Sequence, residues 1–277
     1  MQRPALARRS FTLALAASAL LAACGGGGGA SPAAGGGTGG PYGGGGTGGF
    51  HATALVSDQA GAAAHQDPAL VNAWGLAFNP QGFSWVANAG TSTSTLYDGN
   101  GVPQSLVVTI NHGATGSGSP SGIVFNGSGD FSIGSGGASG APPFIFATLD
   151  GQIASWAPGV DATHALVEVD NGGAGAGYTG LAIGASGSTN LLYAANFAAG
   201  RVDVFDGHYA PVTTTGGFVD PTLPAGYAPF GIQQIGGKIY VAYAQPDPVT
   251  HEKTGAGLGL VDVFDLQGNL LTHLGLG

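Results

Sequence analysis

Cysteine, methionine, positive charge and helical periodicity are all scarce in this chain of 277 residues. It has one Cys and one Met. A single cysteine excludes an internal disulfide framework. Lys and Arg total six against fifteen Asp and Glu, and charged residues make up 8% of the chain. Three of the bases, Arg3, Arg8 and Arg9, fall at the extreme N-terminus. Beyond them, three bases face fifteen acids, a net charge of −12. Phosphate binding needs a basic face, so DNA and RNA are excluded as partners. No apolar pattern keeps a 3.6-residue period for three turns, which excludes coiled coils and long amphipathic helices. The 55 glycines follow no strict triplet and Pro numbers only 16, so the chain is not collagen-like. What remains is a composition of 43% apolar and 9% aromatic residues, enough for a packed core.

Residues 1–23 have the pattern of an export signal. The three arginines form a positive n-region, and Phe11–Leu21 is an apolar run too short to span a bilayer. It ends in Leu21-Ala22-Ala23-Cys24, which resembles the bacterial lipobox. That resemblance implies lipidation of Cys24 and a membrane anchor; the alternative is an ordinary signal peptide. Arg8-Arg9-Ser10-Phe11-Thr12-Leu13 resembles a twin-arginine export motif and fits a generic basic n-region equally well. Residues 24–50 are dominated by Gly, with no apolar content to bury. Such a stretch is a flexible tether, with a typical reach of about 25–30 Å.

From residue 51 to 277 the pattern changes to short strand-like runs between Gly, Asn, Asp and Pro, which points to an all-β domain. The runs repeat. A marker glycine followed by apolar residues recurs at Gly75, Gly122, Gly180 and Gly231. An aromatic-rich strand follows at Trp85–Asn88, Ile145–Thr148, Tyr193–Asn196 and Tyr240–Tyr243. A third run ends in an aromatic residue and a turn, as in Leu96-Tyr97-Asp98-Gly99, Val202-Asp203-Val204-Phe205 and Val261-Asp262-Val263-Phe264. A fourth strand is expected at 105–110, 165–169 and 269–273, with 212–219 a poor candidate in the third copy. Four short strands per repeat of about fifty residues predict a β-propeller with four visible blades, at 72–110, 119–170, 177–219 and 227–274. A β-sandwich is the alternative. Thr53–Ser57 is one more expected strand with no blade to join. The expectation is therefore a fragment of a six-bladed ring, with a four-bladed ring as the alternative.

Leu55–Gln59, Asp67–Leu76 and Asn196–Asp206 resemble an uncharacterised family of exported bacterial β-propeller proteins, some of which carry PEP-CTERM sorting tails. More distantly the blades are similar to NHL repeats and to gluconolactonase-like propellers. The resemblance implies a fold and an export route and supplies no activity.

Candidate chemistry is sparse. No G-x-S-x-G elbow and no H-E-x-x-H occur, so no catalytic residues are assigned. The gluconolactonase-like resemblance implies an axial cation held by oxygens from several inner strands. Calcium is the candidate cofactor, with Asn72, Asn88 and Asn196 as ligands and Asp67 as a possible source of charge. Turn capping by these amides is the competing account. Trp74, Trp85, Trp156, Tyr178, Tyr227 and Phe230 are candidates for a ligand-binding platform. Tyr178 and Tyr227 are preferred because they precede strands in Gly/Pro-rich loops. The expected function is a lipid-anchored cell-envelope propeller that binds or scaffolds a protein or glycan partner. A calcium-dependent hydrolase or lactonase is the alternative.

Overall fold

The computed structural model describes residues 52–80, 82–112, 116–187, 189–248 and 251–274. The export signal over 1–23, the lipidation site Cys24 and the tether over 24–50 lie outside the described residues. No helix among the described residues is long and apolar enough to cross a membrane. Among the described residues the only helix is a three-residue 3-10 turn, Gly172–Ala174, and the remainder is strand, turn and loop.

The domain is an all-β propeller. Its blades are antiparallel meanders stacked face to face. The first runs Ala73–Phe78, Ser84–Asn88, Thr93–Tyr97, Pro103–His112. The second runs Pro120–Phe125, Phe144–Thr148, Gln152–Trp156, His164–Asp170. The third has three strands, Tyr178–Ser186, Thr189–Asn196 and Arg201–Phe205. The fourth runs Ala228–Ile235, Lys238–Ala244, Leu260–Phe264, Leu270–His273. The outer strands of the first two blades also meet in parallel, through Thr109↔His164 and Ile110↔Ala165.

Turn chemistry fixes the repeat locally. Asp98, Asp206 and Asp265 each end a third strand. Each carboxylate accepts from the backbone N–H two and four residues on, at 2.8–2.9 Å. A short side-chain acceptor that mimics a turn carbonyl is what this reversal needs.

Face-to-face packing buries three separate cores, one at each junction between blades. Trp85 stacks on Phe144 at 4.1 Å and meets Trp156 at 5.0 Å between the first and second blades. Ile145, Ile153, Tyr178, Leu192 and Phe205 fill the second junction. Tyr193, Phe218, Ile239, Val241 and Phe264 fill the third.

The marker glycines explain how the inner strands come close enough. A Cβ on Gly75 would lie 2.9 Å from the backbone nitrogen of Ile123. On Gly122 it would lie 2.6 Å from that of Leu181, and on Gly180 3.2 Å from that of Ile232. Each glycine thus touches the inner strand of the following blade. The preceding hydroxyls reinforce two contacts: Ser121 donates to the Tyr178 carbonyl at 2.5 Å, and Thr179 to that of Phe230 at 2.6 Å. Gly231 differs, since its nearest atom is the Ala242 Cβ at 3.6 Å.

Two expected strands differ from the structure. Residues 212–219 form none; the third blade ends in a single bridge, Phe205↔Pro211. The segment docks instead on the fourth blade, with Gly216 and Phe218 N–H donating to the Gln267 and Gly268 carbonyls. Phe218 enters the third core with φ +55°, 5.6 Å from Tyr193 and 5.2 Å from Phe264. Burial of that ring outweighs a weak strand preference in a run that follows Pro211 and is interrupted by Gly216-Gly217. The uncovered edge of Arg201–Phe205 lines a groove of about 430 Å³. Of Thr53–Ser57, only Val56–Ser57 is strand. It pairs in parallel with His65–Gln66 rather than with a blade.

Two outcomes are expected. Gly122→Ala forces a Cβ into backbone and destabilises by about 1–3 kcal/mol, whereas Gly231→Ala stays within about 0.5 kcal/mol. Urea unfolding of the two variants checks this. For Asp265, burial opposes ionisation, but donors from Asn269, Gln267 and Gly268 outweigh it and hold the carboxyl below its usual range. A depressed pKa contributes stability above the unfolded value, near pH 4, that is lost as pH falls through the folded value. The stability gap between wild type and Asp265→Ala therefore narrows from pH 7 to pH 2.5.

Candidate functional site

Two places gather chemistry. The first is the axis, where one end of the inner strands opens into a cleft of about 280 Å³. Leu76, Phe78, Phe125, Leu181, Gln233 and Gln234 are among its lining side chains, and the described lining holds no titratable group. Leu76 and Phe78 are 55% and 61% exposed, because they lie on the face of the first blade that points away from the second. Along the same strand Trp74 is 37% exposed and sits 5.9 Å from Phe230, which in turn meets Phe197 edge-on at 5.1 Å.

The candidate residues fall elsewhere than expected. Tyr178 is fully buried, so a ligand-platform role is corrected: its ring belongs to the second core. The loop position in the sequence hid a strand start, and the hydroxyl anchors it by accepting from Asn171 at 2.9 Å and donating to Asp203 at 3.2 Å. Burial pushes this phenol up to about 12. Tyr227 is half-buried against the third core. Trp85 and Trp156 are buried as well, which leaves Trp74 as the exposed indole.

The three amides each have local partners, although the Asn88 Oδ1 is buried without a hydrogen bond. Asn72, at φ +52°, accepts from the Trp74 indole at 3.0 Å. Asn88 and Asn196 do end the second strands of their blades in equivalent places, but both turn toward the third strand. Asn88 donates to Thr95 and Thr93. Asn196 accepts from the Gly177 and Ala199 N–H groups and donates to Asp203 at 2.7 Å. Asp67 shapes its turn by accepting from Ala69 N–H and receives the Tyr97 hydroxyl at 2.6 Å.

The second place was not singled out from sequence. Asp262, in the middle of a third strand, is fully buried. His273 Nδ1 lies 2.5 Å from Asp262 Oδ1 and 3.3 Å from Asp220 Oδ2. Thr222 donates its N–H and its hydroxyl to Asp220 Oδ1, both at 2.7 Å. Tyr243 stands beside Asp262. Burial, with Asp220 adjacent, raises the Asp262 carboxyl above the usual range. Burial opposes ionisation of Asp220 too, but the Thr222 donors and His273 outweigh it and hold that group low. The signal available was an Asp inside an apolar strand, Val261-Asp262-Val263-Phe264, repeated from Val202-Asp203-Val204-Phe205.

No family model matches the chain. It is 33% identical over 226 residues to one uncharacterized protein of Acanthamoeba polyphaga mimivirus, a match covering 78% of this chain and 55% of that protein. A second uncharacterized protein of the same virus is 31% identical over 227 residues, covering 78% and 59%. The chain thus spans about half the length of the curated relatives it matches. Among solved structures it is distantly similar to propellers. A gluconolactonase from Xanthomonas campestris gives a TM-score of 0.48 at 17% identity, covering 73% of this chain and 61% of that one. Virginiamycin B lyase from Staphylococcus aureus gives 0.42 at 15%, covering 69% and 62%.

Tyr178→Phe removes two buried hydrogen bonds and keeps the ring. It should cost about 1–2 kcal/mol in urea unfolding while leaving any partner affinity unchanged. A loss of affinity at unchanged stability would return Tyr178 to the ligand surface.

Proposed function

We propose that this chain is a lipid-anchored cell-envelope propeller that serves as a binding or scaffold module for a protein partner. The observation that supports it is the axial cleft, which offers aliphatic, aromatic and amide side chains rather than acids, bases or nucleophiles. Such a surface suits an apolar group of another protein. A glycan would ask for more polar partners than Gln233 and Gln234 supply. The calcium-dependent hydrolase or lactonase would need several hard oxygen ligands converging on the axis; the described cleft lining supplies no carboxylate, and the Asn196 Oδ1 already accepts from the Gly177 and Ala199 N–H groups. Exposed Trp74 extends the same apolar strand to the opposite end of the axis. The anchor reading rests on Arg3, Arg8, Arg9 and the lipobox-like Leu21–Cys24.

The test uses the full chain in a bacterial host. Cys24→Ser should move the protein from the membrane fraction to the soluble one. A photocrosslinking residue at Phe78 should give a discrete adduct with a second protein, weakened at least about tenfold by Leu76→Asp. Membrane association that survives Cys24→Ser sinks the anchor, and no adduct at Phe78 sinks the axial binding surface.

A further inference from the structure

Repeat-equivalent acids in the third and fourth blades are neutralised differently, and the difference points to a missing cation. Asp203 and Asp262 hold the same place in the Val-Asp-Val-Phe strand, each facing the preceding blade. Asp203 is matched within its own strand, since Arg201 Nε donates to it at 2.6 Å. Asn196 and Tyr178 supply two more donors. In the fourth blade the place of Arg201 is taken by Leu260, buried in the third core. There a second carboxylate, Asp220, has been added instead of a guanidinium. Two buried acids thus face one imidazole, which carries at most one positive charge.

The oxygens record the same imbalance. Asp262 Oδ2 and the Tyr243 hydroxyl are buried without a hydrogen-bond partner, and Asp220 Oδ2 makes no hydrogen bond beyond its 3.3 Å ion pair with His273. Asp262 is fully buried, Asp220 is 8% and Tyr243 4% exposed. An unpartnered buried polar group is costly, and two beside a carboxylate that shares one imidazole ask for a common occupant. One ligand atom from each of Asp220, Asp262 and His273 lies within 4.8 Å of the others. Donors around a cation with bonds of about 2.0–2.2 Å stand roughly 3.4 Å apart, so small side-chain shifts suffice. His273 is the entry side, with 35% of its side chain exposed.

We propose that Asp220, Asp262 and His273 form a binding site for a divalent transition-metal cation, of which zinc is the representative. One imidazole nitrogen with two carboxylate oxygens suits zinc better than calcium, which takes six to eight oxygens. Tyr243 or a water is placed to fill the fourth position. The role is structural. Asp220 belongs to the irregular connection that replaces the outer strand of the third blade, and His273 to the outer strand of the fourth. A cation between them clips that connection onto the following blade. The site lies between blades and is independent of the axial cleft and of the lipid anchor.

The test uses the full chain carrying Cys24→Ser, so that no thiol competes for metal. Zinc titration by calorimetry should show one tight equivalent, with a rise in Tm. Cobalt(II) in its place should give a visible absorption band. His273→Gln, at a partly exposed edge-strand position, should lower zinc affinity at least about 100-fold and abolish the band. Asp262→Asn should do the same if it folds. Zinc should also slow proteolysis between residues 212 and 223 in wild type and not in His273→Gln. Binding of the same stoichiometry and affinity in His273→Gln places the metal elsewhere and overturns the proposal. So does absence of a tight equivalent in wild type, which leaves an imidazolium between two carboxylates as the whole cluster.

Discussion

The close approach of neighbouring inner strands is the constraint on which the rest of the structure depends. At Gly75 and Gly122 an added methyl would stand within 3 Å of the next strand's backbone, and at Gly180 only slightly farther away. Blades can therefore converge toward the axis only because those positions carry no side chain. The gap between two blades then opens outward as a wedge. Small residues fit its narrow end, and Trp85, Trp156, Phe205 and Phe264 fill the wide end. Placing large rings where the inner strands meet would splay the wedge and expose all three cores. The hydroxyls of Ser121 and Thr179 turn the same proximity into hydrogen bonds, so a steric necessity also satisfies carbonyls that the axis would leave bare.

Once blades are this close, the wedge holds polar groups as well. The segment that leads into a blade carries a polar side chain that meets the blade's leading face. Asp67 receives Tyr97, Asn171 donates to Tyr178, and Asp220 stands against Asp262 through His273. These contacts tie irregular segments to the sheets where no ladder reaches them. They also set the pairing of each connection with its own blade, because a buried hydrogen-bond partner that is misplaced leaves the other one unsatisfied.

The repeat was legible because it is a repeat of physical demands. Glycine at the inner approach, aromatics in the wedge and Asp at the turn recur at similar spacing, and the structure uses each for one purpose. Residues 212–219 were a weak strand in sequence for the reason they are none in the structure: Pro211 precedes them, Gly216-Gly217 interrupts them, and Phe218 gains more from the third core. The candidate sites were less legible. Position relative to a strand suggested exposure for Tyr178, but one residue of register decides which face a side chain takes, and sequence does not fix that register. Trp74 ranked below Tyr178 and Tyr227 as a platform candidate, yet it is the more exposed ring, beside Phe230 on the face of the first blade that points away from the second. Asp262 was visible only as part of a strand motif. Its significance depends on Asp220 and His273, which come from 42 residues before and 11 residues after it and meet only in three dimensions.

The scarcity of positive charge in the composition has its sharpest consequence at that point. Beyond the first nine residues the chain has only Arg201, Lys238 and Lys253 as permanent cations. An acid in the middle of a buried strand needs a neutralising partner, and the third blade supplies Arg201 two residues earlier in the same strand. The fourth blade repeats the acid without repeating the arginine, and then adds another acid. Were the cluster only a packing accident, Asn at either position would remove the charge and keep the shape, as Asn88 and Asn196 do at the ends of second strands. Retaining two carboxylates around one imidazole makes sense where a charge from outside the chain enters the balance. The position between an irregular connection and an outer strand is where such a charge would do most for stability.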